Sequence, residues 1–81
     1  MKEYKSKDFI KLPPQDDTLL WTSRDKQFTI TTTTNQYSQY FVYVSLLTGD
    51  EWIGIQENDF EDTIDSLNQM IISGEINQYL V

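Results

Sequence analysis

Hydrophobic and polar positions change their period along this chain, and each change marks a new element. Residues 27–34 alternate, with Phe28 and Ile30 set among threonines, and every side chain over 28–34 is β-branched or aromatic. Such a stretch suits a pleated surface with one wet face. Asn35-Gln36-Tyr37-Ser38 has the length of a hairpin turn. In 39–47, Tyr40, Val42, Val44 and Leu46 share one face and Phe41, Tyr43, Ser45 and Leu47 the other. Neither face is fully polar, so this segment is expected as the central strand. Thr48-Gly49-Asp50 is the next turn, with glycine available for a positive φ. Residues 51–56 follow as a strand, Ile53 and Ile55 on one face and Trp52 and Gly54 on the other.

After that strand the period lengthens. Phe60, Ile64, Leu67 and Ile71 step by four, three and four, one helical stripe that Met70 widens. Asn58 is the expected N-cap, with Glu61 in capping-box position, and Gly74 stands where a left-handed residue ends a helix over 59–73. An isolated helix of about 15 residues is marginal in water, so the stripe must be buried against the sheet. Upstream, 18–22 with Leu19, Leu20 and Trp21 reads as a short strand, and 23–26 as a turn. Before it, Tyr4, Phe9, Ile10 and Leu12 fit a short strand or one helical turn. Pro13-Pro14 is expected to stop either, since neither proline has an N–H to donate, and Asp16-Asp17 continues a polar loop. A loosely ordered N-terminal arm over 1–17 is therefore one reading of this stretch. At the other end Ile76, Tyr79, Leu80 and Val81 form an apolar tail that adds a strand or packs back on the core.

The expected fold is α+β: an antiparallel β-meander of three to five strands with one C-terminal amphipathic helix packed on one face, all in a single domain over 1–81. Its core should hold Phe28, Ile30, Val42, Val44, Ile53, Ile55, Phe60, Ile64, Leu67 and Ile71, with Trp21 and Trp52 at least partly buried.

Composition narrows the chemistry. Eighty-one residues are too few for two cores, and 38% hydrophobic residues suffice for one. The chain has no Cys and no His. Disulfides, thiolate metal sites and cysteine nucleophiles are excluded, and with them the commonest general base and transition-metal ligand. Carboxylates, Lys and Tyr remain for acid–base work, but no nucleophile motif accompanies them and the acidic pairs lie within one helical turn or one hairpin. No enzyme is expected. Asp59, Glu61, Asp62 and Asp65 are the densest oxygen-ligand group, yet they lack the alternate spacing and sixth-position glycine of an EF-hand loop. Their place in the first turns of a helix answers the helix dipole instead, and no metal or cofactor is expected. No apolar run reaches the roughly 18–20 residues of a membrane span, and no signal-peptide core follows Met1-Lys2-Glu3. The expectation is a cytoplasmic protein without membrane contact, in the host-cell cytoplasm if phage-encoded.

Charge adds the strongest functional hint. Net charge is −7, and its distribution is uneven. Lys2, Lys5, Lys7, Lys11, Arg24 and Lys26 all lie in the first 26 residues, against five carboxylates. After Lys26 there is no cation, and eight carboxylates follow, seven of them over 50–65. A surface with that field attracts a basic protein groove and repels nucleic acid and anionic membranes.

Two binding readings follow. In the first, Glu61, Asp62 and Asp65, with Gln69, lie opposite the apolar stripe. Asp50 and Glu51 extend the field, and Tyr37, Tyr40 and Trp52 serve as anchors that slow release. Carboxylates so spaced stand in for phosphates. A small acidic chain without Cys or His is similar in type to phage and mobile-element inhibitors, DNA mimics of the anti-CRISPR and anti-restriction kind. The partner expected is a larger protein with a basic surface, a nucleic-acid-processing enzyme for example, and the oligomeric state stays open. In the second, the order of strands and helix over roughly 28–71, with Trp52-Ile53-Gly54-Ile55 leading to Phe60, resembles in outline the small single-stranded-DNA-binding coactivator fold. That resemblance implies a single-stranded nucleic-acid-binding domain in which Tyr37, Tyr40, Phe41 and Tyr43 stack bases. Such a groove also needs cations, and none accompanies these aromatics, so direct nucleic-acid binding is disfavoured. The plainest alternative is a structural or interaction domain whose acidic face is only solvated.

Overall fold

The computed structural model describes residues 3–33 and 39–80. The turn expected at 35–38, Tyr37 and Val81 lie outside the described residues. A 3-10 turn, Ser6–Asp8, leads into five strands: β1 (Phe9–Gln15), β2 (Thr18–Ser23), β3 (Phe28–Thr33), β4 (Tyr40–Leu46) and β5 (Gly49–Glu57). Helix α1 (Phe60–Ser73) and a second 3-10 turn (Glu75–Gln78) complete the fold. The strands form one sheet in the order β1-β2-β3-β4-β5, every neighbouring pair antiparallel, and α1 packs on one face beneath β4 and β5. This is the α+β meander with a helix that periodicity predicts, at its five-strand limit. The middle strand is β3 rather than β4, because two strands precede it in the sheet.

Strand β1 corrects the reading of the N-terminal segment. It runs through Pro13-Pro14 to Gln15, pairing with β2 from Phe9↔Ser23 to Leu12↔Leu20, losing register, and resuming at Gln15↔Thr18. The prolines survive because β1 is an edge strand and they sit at the irregularity, where the ladder demands no N–H. Asp16, at φ 53, then turns the chain into β2. The segment that local sequence marks as an arm thus supplies a paired strand, and it also supplies Tyr4 and Phe9 to the core.

One face of the sheet is dry. Phe28, Ile30, Val42, Val44, Ile53 and Ile55 are buried there against Ile64 and Leu67 of α1, as alternation and the helical stripe require. Phe60, Ile71 and Trp21 pack at the margin and are only half-buried. Ile76 folds back from the second 3-10 turn and is buried, so the tail packs on the core rather than adding a strand. Phe60 touches Phe9, Trp21 and Tyr40, with ring centroids 6.2, 5.0 and 5.9 Å away.

Tyr4 shows how the N-terminus is secured. Its N–H donates to Asn68 Oδ1 and its carbonyl accepts from Asn68 Nδ2, both at 2.8 Å, so a helix side chain completes the backbone pairing of residue 4. The phenol donates to Asp25 Oδ2 at 2.5 Å. Asp25 also accepts from the Ser23 hydroxyl and the Gln27 N–H, which shapes the turn at 24–27. Burial, together with the bond to Asp25 and its charge, pushes the Tyr4 phenol well above its ordinary pKa.

Helix α1 begins one residue later than the Asn58 cap implies. Asp59 is the N-cap, in extended conformation, and its carboxylate accepts from the N–H groups of Glu61 and Asp62 at 3.1 and 3.3 Å. The shift moves Glu61 to the second helical position, so a capping box with Asn58 does not form. An aspartate both caps and answers the dipole, which gives Asp59 the advantage over its neutral neighbour. Gly74 ends the helix at φ 86, as expected.

Candidate functional site

A meander converts sequence position into place. Strands alternate in direction, so every second connection falls at the same end of the sheet. The β1–β2 turn with Asp16 and Asp17 lies at the end where Gln15 pairs with Thr18 and Thr18 with Thr33. Glu57, the last residue of β5, pairs with Tyr40, which pairs with Thr32, so it stands at this end too. Asp59, Glu61 and Asp62 follow directly as α1 begins. Across four strand spacings this acidic end spans about 19 Å. Asp16, Asp17, Asp59, Glu61 and Asp62 are exposed, while Glu57 is half-buried and accepts from the Ser66 hydroxyl at 2.9 Å. Asp65 is exposed on the outer surface of α1, one turn further along.

The opposite end holds the described cations other than Lys11. Arg24 and Lys26 occupy the β2–β3 turn, and Arg24 donates through Nε to the Lys7 carbonyl at 3.3 Å, which draws in the segment carrying Lys5 and Lys7. Lys11, on β1, places its ammonium 5.9 Å from the Trp21 ring centroid. Asp8, Asp25, Asp50 and Glu51 lie at this end as well, so it is mixed in sign, whereas the β1–β2 turn and the start of α1 carry carboxylates with no described cation among them.

The sequence-predicted contact residues do not all meet. Glu61, Asp62 and Asp65 share one exposed stretch of α1, as expected. Asp50 and Glu51 are exposed but sit at the start of β5, with Asp50 opposite Ser45, seven residues before Glu57. At about 3.3 Å per residue they are roughly 20 Å from the helix start and do not extend its field. Asp16 and Asp17 take their place. These two read locally as a polar loop, and only strand parity reveals where they lie.

Among the aromatics, Tyr40 is not an exposed anchor. It lies on the helix side with Val42 and Val44, its ring 5.9 Å from those of Trp21 and Phe60. Trp52 is the reverse case. Expected to be at least partly buried and also to offer a contact surface, it is 49% exposed on the open face, opposite Tyr43, with its indole N–H donating to the Ile55 carbonyl at 3.3 Å. Alternation with Ile53 and Ile55 turns it outward, and the pairing of β4 with β5 is irregular just beyond it: one residue lies between Phe41 and Tyr43, while three lie between their partners Gln56 and Trp52. The two extra residues fall around Gly54, at φ 84, and because their number is even Ile53 and Ile55 both stay inward.

The open face of the sheet thus carries Thr29 and Thr31 of β3, Phe41 and Tyr43 of β4 and Trp52 of β5, with Leu20, Ile10 and Leu12 toward β1. A hollow of about 390 Å³ lies on this face, lined by Thr18, Thr31, Phe41, Tyr43 and Asp50. A second, of about 270 Å³, lies between Tyr4, Phe28, Ile71, Ile76 and Leu80. Among the described residues no three carboxylates converge as a metal cluster, and no helix is long and apolar enough to cross a membrane. Comparison with protein-family models, with curated proteins and with solved structures finds no match to this chain.

Proposed function

We propose that this chain is a small non-catalytic protein-binding module that inhibits a nucleic-acid-processing protein by laying its acidic end in that protein's basic groove. The concentration of carboxylates without a described cation at one end of the sheet carries this reading. Exposed carboxylates from two turns and a helix start spread over about 19 Å, wider than helix-dipole compensation calls for and suited to an extended basic groove. Electrostatic attraction of this kind speeds association and weakens as salt screens it. The nucleic-acid-binding alternative gains support from Phe41, Tyr43 and Trp52 on an open sheet face. The charge beside them is Asp50, however, and a phosphate chain needs cations there.

The test begins with affinity capture and identification of the partner from host lysate, followed by a competition assay in which the partner's nucleic acid is displaced by this protein. One equivalent should suffice at low salt. Asp62→Lys with Asp65→Lys should preserve the circular-dichroism spectrum and weaken binding at least tenfold. Binding as tight as wild type by the double variant overturns the reading. So does micromolar affinity of the isolated protein for single-stranded DNA at physiological salt, which favours the alternative.

A further inference from the structure

The hollow on the open face differs in chemistry from the acidic end. Two aromatic side chains, Phe41 and Tyr43, stand two residues apart on β4 and form its apolar wall. Thr18 and Thr31 contribute hydroxyls, and Asp50 contributes a carboxylate. Its volume, about 390 Å³, lies at the small end of the range for ligand pockets. We infer that this hollow is a socket for a single arginine side chain of the basic partner, an inference that rests on the acidic end being a docking surface. Aromatic faces attract a cation through the ring quadrupole, and a carboxylate in the same hollow supplies the counter-charge. Arginine fits better than lysine because its planar guanidinium stacks on an aromatic ring and still presents paired donors at its edge for Asp50.

Position supports the same occupant. Thr18 follows Asp17 directly, so the hollow adjoins the acidic end at the β1–β2 turn and runs from there toward Asp50. A partner whose basic groove covers Asp16 and Asp17 can carry an arginine over the edge onto Phe41 and Tyr43. The long-range field then steers the encounter, and the aromatic socket holds the complex. A second copy of this chain is disfavoured as the occupant, since it brings the same net charge of −7 to the contact.

Nuclear magnetic resonance titration of the whole protein with N-acetyl-arginine amide tests the socket. Saturable shifts are expected at Thr31, Phe41 and Tyr43, with millimolar affinity. The neutral citrulline analogue should bind at least fivefold more weakly, and N-acetyl-lysine amide should fall between the two. Asp50→Asn should weaken the arginine probe at least fivefold. Tyr43→Leu, which keeps an apolar wall and removes an aromatic one, should do the same if the Asp50 variant disturbs its hairpin. Asp62→Lys with Asp65→Lys should leave probe binding within twofold. Equal binding of the citrulline analogue overturns the proposal, as do non-saturating shifts that are equally large at Glu61, Asp62 and Asp65. If the partner is lost on helix charge reversal while the arginine probe ignores the hollow, the socket alone is wrong. If the probe binds but charge reversal leaves partner affinity unchanged, the groove-binding reading alone is wrong.

Discussion

The two faces of the sheet are built from the same five strands and differ in almost every physical respect. On the covered face, aliphatic side chains of β3, β4 and β5 are excluded from water by α1, and Val42, Ile30 and Leu67 retain no exposure at all. On the open face the corresponding positions are threonines and aromatics, half-buried by their neighbours within the sheet. Threonine and tyrosine suit that place because their β-branched or ring bodies pack along the pleat while a hydroxyl remains in water. The contrast is one of stability: one face holds the fold together, and the other can change its side chains at little cost.

The sharpest way to break this comparison is Leu67→Ala, at the centre of the covered face. It should lower unfolding free energy by about 2–4 kcal/mol in urea titration, because the cavity it leaves is closed on every side. A loss below about 0.5 kcal/mol would mean that α1 does not pack against the sheet as described.

Tyr4→Phe tests the clasp at the edge of the same core. Losing a partly buried hydrogen bond to a carboxylate should cost about 1–2 kcal/mol near neutral pH. The raised phenol pKa adds a signature. As pH passes about 10 the unfolded chain loses the Tyr4 proton while the folded chain keeps it, so wild-type stability falls from there upward. Denaturation midpoints compared at pH 9 and pH 11 should drop further for wild type than for Tyr4→Phe. Equal drops would show that the phenol is not held protonated by its surroundings.

Trp52→Ser, on the open face, is expected to give the smallest effect. A half-exposed cross-strand pair with Tyr43 contributes no more than about 1 kcal/mol. A loss above about 2 kcal/mol in the same titration would show that the open face carries part of the core's burden, and the division between faces would fail.

Local pattern was enough for much of this molecule. The alternation over 28–34 and 39–47, the stripe from Phe60 to Ile71 and the terminating Gly74 each specify an element, because side-chain period and glycine's access to positive φ are local properties that declare a strand, a helix and its end before any partner is in place. Lys26 marks the boundary between a first third whose charges nearly cancel and a remainder whose charges are all acidic, and the sequence alone shows it. The helix start was legible to within one residue, since Asn58 and Asp59 are both good caps and only the local geometry selects between them.

Tertiary structure decided the rest. Pro13 and Pro14 argue against a strand until β1 proves to be an edge, where their missing N–H groups are not called upon. Tyr4 has no periodic neighbours to declare it core, and its burial depends on Asn68 and Asp25, which are 64 and 21 residues away. Tyr40, expected as an anchor, is covered on the helix side by Trp21 and Phe60 from other elements, whereas Trp52 keeps the outward face that alternation with Ile53 and Ile55 gives it. Asp16 and Asp17 joined the acidic end, and Asp50 and Glu51 left it, because antiparallel strands return every second turn to the same end of the sheet. Which carboxylates lie together is thus a property of strand parity, and parity exists only once the sheet has formed.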